Sequence, residues 1–156
     1  MAKNLSSSTV NNIKIRILVV DDEQDVLVGL RALLEGHGHY VKTFDNPAQA
    51  LEHIASEDID YDLVITDYRM PGGISGLDLA KRVKEHERRK GGRGGGRRKA
   101  KVFLMSAFDM TSLPGLNEPD LNEAAKSEIV DEIIQKPIRN NKLIAIIESS
   151  LLHNDH

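Results

Sequence analysis

The chain has 156 residues, 40% of them hydrophobic and 29% charged, and it contains no cysteine. That length suits one domain with its own core, the lack of cysteine rules out disulfides and thiolate metal sites, and the short apolar runs fall far below the ~18 residues that span a bilayer. The net charge of −3 is uneven: residues 88–101 hold eight Lys or Arg and no acid, which leaves 13 basic against 24 acidic residues elsewhere, a net −11. Such a distribution argues against a broad nucleic-acid-binding face and for one localised basic loop. Residues 1–13 read as a polar, disordered tail without the apolar stretch of a secretory signal. A cytoplasmic location is expected.

Taken in chain order, Ile15 to Val20 is an apolar run broken only by Arg16, as in a strand buried on both faces. Val26, Leu27, Leu30, Leu33 and Leu34 then recur at helical spacing up to Gly36 and Gly38. Tyr40 to Phe44 alternates as a short strand, and Asn46-Pro47 starts a helix carrying Ala50, Leu51 and Ile54. Leu63 to Thr66 is a second buried strand ending at Asp67, and Leu77, Leu79, Ala80 and Val83 mark another helix. The Gly/Arg stretch follows, with 88–100 expected as a flexible insert. Strands are expected at Val102–Met105 and Ile129–Ile134, and a last helix from about Asn140 to Leu152. Pro114 and Pro119 interrupt the segment between those strands, where 109–132 has seven acids and one base; a loop and a short helix over 119–126 are expected there.

Strands alternating with helices imply right-handed βαβ crossovers. Five such units predict an α/β, doubly wound parallel sheet of order 2-1-3-4-5 with helices on both faces, and a site beyond the carboxyl ends of the strands. At those ends stand Asp21-Asp22-Glu23, Asp67, Ser106 and Lys136-Pro137. Clustered carboxylates favour a hard divalent cation such as Mg2+ (or Mn2+). Asp67 would then serve as nucleophile toward phosphorus, with the Lys136 ammonium and the Ser106 hydroxyl meeting charge on the phosphoryl oxygens. Each residue alone has an ordinary reading as a turn, cap or surface residue; the joint pattern in strand order carries the inference.

The segments ILVVDDEQDVL (17–27), DLVITDYRMPGGISGLDLA (62–80), VFLMSA (102–107) and QKPI (135–138) resemble the receiver domain of two-component response regulators, over about residues 14 to 153. The resemblance implies a stand-alone receiver with Asp67 as phosphoacceptor. It further implies metal ligation by Asp21, Asp22, Asp67 and the backbone carbonyl of Arg69, with Ser106 as the switch hydroxyl, Lys136 as the family lysine and a cis Lys136-Pro137 bond. It implies a sensor histidine kinase or phosphotransfer protein as donor and a separate output protein as partner, with no DNA-binding domain, and a signalling domain rather than a turnover enzyme. Four features depart from the family: Ile133 replaces the usual Tyr or Phe three residues before the lysine, the Gly/Arg insert is added, Pro114 and Pro119 interrupt the region where the family has its fourth helix and partner-docking face, and one residue is extra at Gly72-Gly73. The insert at 88–101 suggests a nucleic-acid or acidic partner, against the simpler reading of a solvated insertion.

Two other function classes compete. A phosphorylation-independent scaffold would not need the Asp22, Asp67, Ser106 and Lys136 set. An aspartyl-phosphate phosphohydrolase of the haloacid-dehalogenase type needs Asp two residues after the nucleophile, where this chain has Arg69. His37 and His39 around Gly38 read as a surface turn, because no third metal ligand accompanies them.

Overall fold

A computed structural model describes residues 13–56, 59–94, 99–107 and 128–152, with the side chains of 90–94 and 152 excepted. The elements are β1 (Arg16–Val20), α1 (Gln24–Gly36), β2 (Tyr40–Phe44), α2 (Pro47–Ser56), β3 (Leu63–Asp67), α3 (Gly76–Gly94), β4 (Lys101–Ser106), β5 (Glu132–Gln135) and α4 (Asn140–Ile147), which runs into a π-helical turn (Glu148–Leu152). The five strands form one sheet in the order β2-β1-β3-β4-β5, and every pairing is parallel. This is the expected doubly wound α/β architecture.

Alternate side chains along a strand point to opposite faces, and both faces are covered here, which explains the unbroken apolar runs Ile17–Val20, Leu63–Ile65 and Val102–Met105. Ile17 and Val19 of β1, Leu63 and Ile65 of β3, and Phe103 and Met105 of β4 face one way, onto Leu27, Leu30 and Leu34 of α1 and Leu143 and Ile147 of α4. Leu18, Val20, Val64, Val102 and Leu104 face the other way, onto Ala50 and Ile54 of α2 and Leu77, Ala80 and Val83 of α3. A one-residue slip in any central strand would exchange these two faces, so the register is tightly specified. Edge strand β2 is only partly buried along its length, which matches its polar residues Lys42 and Thr43.

Local chemistry sets the helix starts. The Asn46 side-chain oxygen accepts from the backbone N–H groups of Ala48 and Gln49 at 2.8 and 3.1 Å, an N-cap for α2. At α3, the Ser75 N–H donates to Asp78 Oδ2 and the Asp78 N–H donates to Ser75 Oγ, at 3.0 and 3.1 Å, a reciprocal capping box.

Helix α3 differs from the sequence expectation. Its backbone stays helical through Gly94, seven residues into the stretch expected to be a flexible insert from residue 88. Arg88, Arg89 and Lys90 are good helix formers, and Arg89 lies 3.9 Å from Glu85 one turn earlier; these outweigh the glycines that follow. Both ends of the stretch are tied to the sheet. The two Glu87 carboxylate oxygens accept from the Ala100 N–H at 3.0 Å, and Lys84 Nζ donates to the Ala100 carbonyl at 2.9 Å. Residues 95–98, the proposed short helix at 119–126 and the N-terminal tail through residue 12 lie outside the described residues.

Two further expectations are adjusted. Strand β5 starts at Glu132 rather than Ile129: the Asp131 N–H still donates to the Val102 carbonyl at 2.8 Å, but the Val102 N–H goes to the Asp131 carboxylate at 2.7 Å instead of to a main-chain carbonyl further back. His39 is buried rather than part of a surface turn; its Nδ1 accepts from the Ile15 N–H at 3.2 Å, and Gly38 makes the turn before it at φ +92°. Burial, aided by the nearby His37 charge and opposed by Glu148, lowers the His39 pKa and keeps the ring neutral. Among the described residues no helix is long and apolar enough to cross a membrane.

Phe103 is fully buried among the side chains between the sheet and the helices α1 and α4. We expect Phe103→Ala to cost about 3–5 kcal/mol of stability, from lost burial plus the cavity left behind, measured by urea denaturation.

Candidate functional site

The carboxyl ends of β1, β3 and β4 and the turn after β5 converge on one cavity of about 260 Å3, lined by Asp22, Asp67, Arg69, Ser106 and Lys136 together with Glu23, Tyr68 and Ala107. Each side chain is delivered by backbone that has little freedom. The Asp21 N–H donates to the Phe44 carbonyl at 3.1 Å, which fastens the end of β1 to β2. The Tyr68 N–H donates to the Met105 carbonyl at 2.8 Å, and the Lys136 N–H to the Ser106 carbonyl at 2.8 Å, so β3, β4 and β5 are locked together just beneath the site. The Lys136-Pro137 peptide bond is cis, as the resemblance implied.

Gly76 fixes the height of Asp67. Its N–H donates to the Tyr68 carbonyl at 2.8 Å. A Cβ placed here would run into the Asp67 carbonyl oxygen and lie 2.9 Å from both the Asp67 carbonyl carbon and Leu104 Cδ1. Only glycine allows α3 to start this close to the end of β3.

The structure brings the predicted site residues together. Asp21, Asp67 and Ser106 are buried, while Asp22 and Arg69 are exposed at the mouth. One carboxylate oxygen each from Asp21, Asp22 and Asp67 lies within 4.8 Å of the others. The Tyr68 N–H donates to Asp67 Oδ1 at 3.1 Å and the Glu23 N–H donates to Asp21 Oδ1 at 2.9 Å, which orients both carboxylates. Lys136 Nζ stands 3.0 Å from Asp21 Oδ2, 3.1 Å from Glu23 Oε1 and 3.5 Å from Asp67 Oδ1. Asp21 Oδ2 is buried and, despite that ion pair, receives no aligned hydrogen bond.

The electrostatics follow from this crowding. Burial, reinforced by the charges of Asp21 and Asp22 and opposed by Lys136, pushes the Asp67 carboxyl up to about 6. Burial likewise raises Asp21, against the Glu23 N–H and the Lys136 ammonium. For Lys136 burial works against the charged form, but the Asp21, Glu23 and Asp67 carboxylates outweigh it and raise its pKa above the ordinary value. A buried, under-donated oxygen among three converging carboxylates is a donor set for a hard divalent cation, so Asp21, Asp22 and Asp67 fit such an ion.

Sequence reasoning gave Glu23 no role. It was visible as the third acid after β1, but its contact with Lys136 spans 113 positions of sequence, and no local pattern announces it. Ile133, where the related family carries an aromatic ring, is partly buried and packs on the α2 and α3 side of the sheet.

Two predictions follow from the crowding. In metal-free protein Asp67 binds its proton more tightly folded than unfolded, because its pKa rises from 3.8 to about 6. Its contribution to stability is therefore full below about pH 4 and is lost as pH rises through about 6. We expect Asp67→Asn to be more stable than wild type at pH 7 by on the order of 2 kcal/mol, and the gain to vanish near pH 4, measured by urea denaturation in a chelator. We expect Gly76→Ala to lose about 2–3 kcal/mol through overpacking and to perturb the Asp67 backbone amide resonance.

Comparisons with known proteins agree with this geometry. The family profile of the response regulator receiver domain matches residues 17–148. The sensory/regulatory protein RpfC of Xanthomonas campestris is 33% identical over 129 residues, which span 83% of this chain but only 15% of RpfC. The response regulator receiver protein CpdR of Brucella abortus is 28% identical over 88% of this chain and 97% of its own length. Among solved structures, response regulator protein TrrA of Thermotoga maritima, in complex with Mg2+-BeF, is 29% identical with a TM-score of 0.64, over 88% of this chain and 99% of its own. Fold, site geometry and family profile together make this chain a member of the response regulator receiver domain family.

Proposed function

We propose that the chain is a phospho-accepting switch: it takes a phosphoryl group from a phosphohistidine of a sensor kinase or phosphotransfer protein onto Asp67, and the modified form changes affinity for a separate output protein. The observation that carries this reading is the buried Asp67 carboxylate facing an ammonium and two further carboxylates across one cavity. An Asp67 oxygen attacks phosphorus in line, the P–N bond breaks, and the donor ring, protonated on its other nitrogen, departs with the bonding pair as neutral imidazole. The Tyr68 N–H holds Asp67 Oδ1 and so fixes the direction of attack. The Lys136 ammonium balances charge on one phosphoryl oxygen and the Ser106 hydroxyl donates to another. A divalent cation, Mg2+ or Mn2+, held by Asp21, Asp22, Asp67 and the Arg69 carbonyl, would offset charge on the remaining oxygen. The Mg2+-BeF complex of TrrA supports that assignment.

On this reading the domain catalyses its own modification and is not a turnover enzyme, and it works in the cytoplasm. Ile133 favours a second reading, a protein-interaction module indifferent to phosphate, because it lacks the ring that couples the family's switch hydroxyl to its output face. The two readings part on one measurement. Intact mass after phosphoramidate treatment is expected to rise by one phosphate with magnesium, and to stay unchanged without magnesium or in Asp67→Asn. A folded, magnesium-loaded wild type that takes up no phosphate would sink the phospho-switch reading and leave the interaction module.

A further inference from the structure

Lys136 has three carboxylate neighbours and is shared among them. Nζ lies 3.0 Å from Asp21 Oδ2, a strong electrostatic contact but one without hydrogen-bond alignment. It donates an aligned hydrogen bond to Glu23 Oε1 at 3.1 Å, and Asp67 Oδ1 stands at 3.5 Å, beyond the usual N–H···O range. Glu23 is well placed for this because its main chain is already committed. Its N–H donates to Asp21 Oδ1 at 2.9 Å, and its carbonyl accepts from Val26 and Leu27 at 3.1 and 3.2 Å as the N-cap of α1. Its side chain makes no capping bond and, 63% exposed, is available to Lys136 from the solvent side.

We propose that Glu23 is a positioning residue that draws the Lys136 ammonium toward the mouth of the cavity, in competition with its 3.5 Å ion pair to Asp67, and thereby slows phosphoryl acceptance. The proposal rests on the phosphoacceptor reading above. In the step concerned, an Asp67 oxygen forms the O–P bond of the acyl phosphate while the donor's P–N bond breaks. With phosphoramidate, the already protonated nitrogen leaves with the bonding pair as ammonia. Charge develops on the phosphoryl oxygens beside Asp67, where an ammonium must come close to act. Each moment that Lys136 spends on Glu23 withholds it from that position. Because the Glu23 carboxylate is exposed, its hold on Lys136 is that of a surface ion pair, enough for a rate effect of about 2- to 5-fold.

The test uses the full chain as wild type, Glu23→Gln, Glu23→Asp and Asp45→Asn. Glu23→Asp keeps the charge but is one methylene shorter, and Asp45→Asn removes an exposed charge just after β2 whose hydrogen-bond partner is Gln24. Two quantities are read: the maximal rate of magnesium-dependent phosphate uptake at saturating phosphoramidate, and the Nζ resonance of Lys136 in 15N-lysine-labelled, metal-free protein, assigned by its absence in Lys136→Arg. Both Glu23 variants are expected to raise the maximal rate about 2- to 5-fold and to shift the Lys136 resonance, while Asp45→Asn does neither. If Glu23→Asp keeps the wild-type rate and resonance, charge alone is at work and the proposal is overturned. No uptake by wild type overturns the phosphoacceptor reading and the rate claim with it. Uptake by wild type at the same maximal rate as both Glu23 variants overturns the proposal alone.

Discussion

Three carboxylates held close together at the end of a sheet would repel one another unless a cation stood among them, and the Lys136 ammonium is that cation. It is anchored by its own backbone to the end of β4 and lies within ion-pair distance of the turn after β1, the end of β3 and the start of α1. One side chain therefore joins the separate strand ends into a single electrostatic unit. Desolvation of Asp21 and Asp67 opposes this arrangement, so the apolar packing on both faces of the sheet must supply the stability that the site consumes. That division matches the apolar runs Ile17–Val20, Leu63–Ile65 and Val102–Met105, each followed within one or two residues by a polar site residue: Asp21, Asp67 and Ser106.

The same crowding sets the charge state of the site. Without a metal ion the Asp67 carboxyl, pushed up to about 6, is a stronger base than an ordinary aspartate. Added positive charge relieves the repulsion that binds a proton to Asp67, so occupancy by a cation and ionisation of Asp67 are linked. Gly76 keeps the geometry stiff: helix and strand approach so closely that Asp67 cannot sink or tilt without moving α3.

Most of the fold was legible in the sequence because central strands of a parallel sheet leave a plain signature, a β-branched apolar run that ends abruptly in acid or hydroxyl. Asp21, Asp22, Asp67, Ser106 and Lys136 could be found because the topology brings all strand carboxyl ends to one edge. What escaped notice depends on contacts that no local pattern encodes. His39 looked like a turn residue until the Ile15 N–H, 24 positions away, proved to need its ring nitrogen. Glu23 stood out only as the third acid after the first strand, and its partner Lys136 lies 113 positions away. Helix α3 outran its expected end because glycines that would break an isolated helix follow a run of strong helix formers, and the fastening at Ala100 lies beyond the stretch being read.

That fastening has an evolutionary consequence. Lys84 and Glu87 grip the main chain at Ala100, so strand β4 begins from a fixed point however long the excursion between them becomes. Segments of different length and charge can be exchanged at this edge without shifting β4 or disturbing the chemistry at the opposite end. The architecture separates a place where sequence is free to diverge from one where a displacement of an ångström would matter.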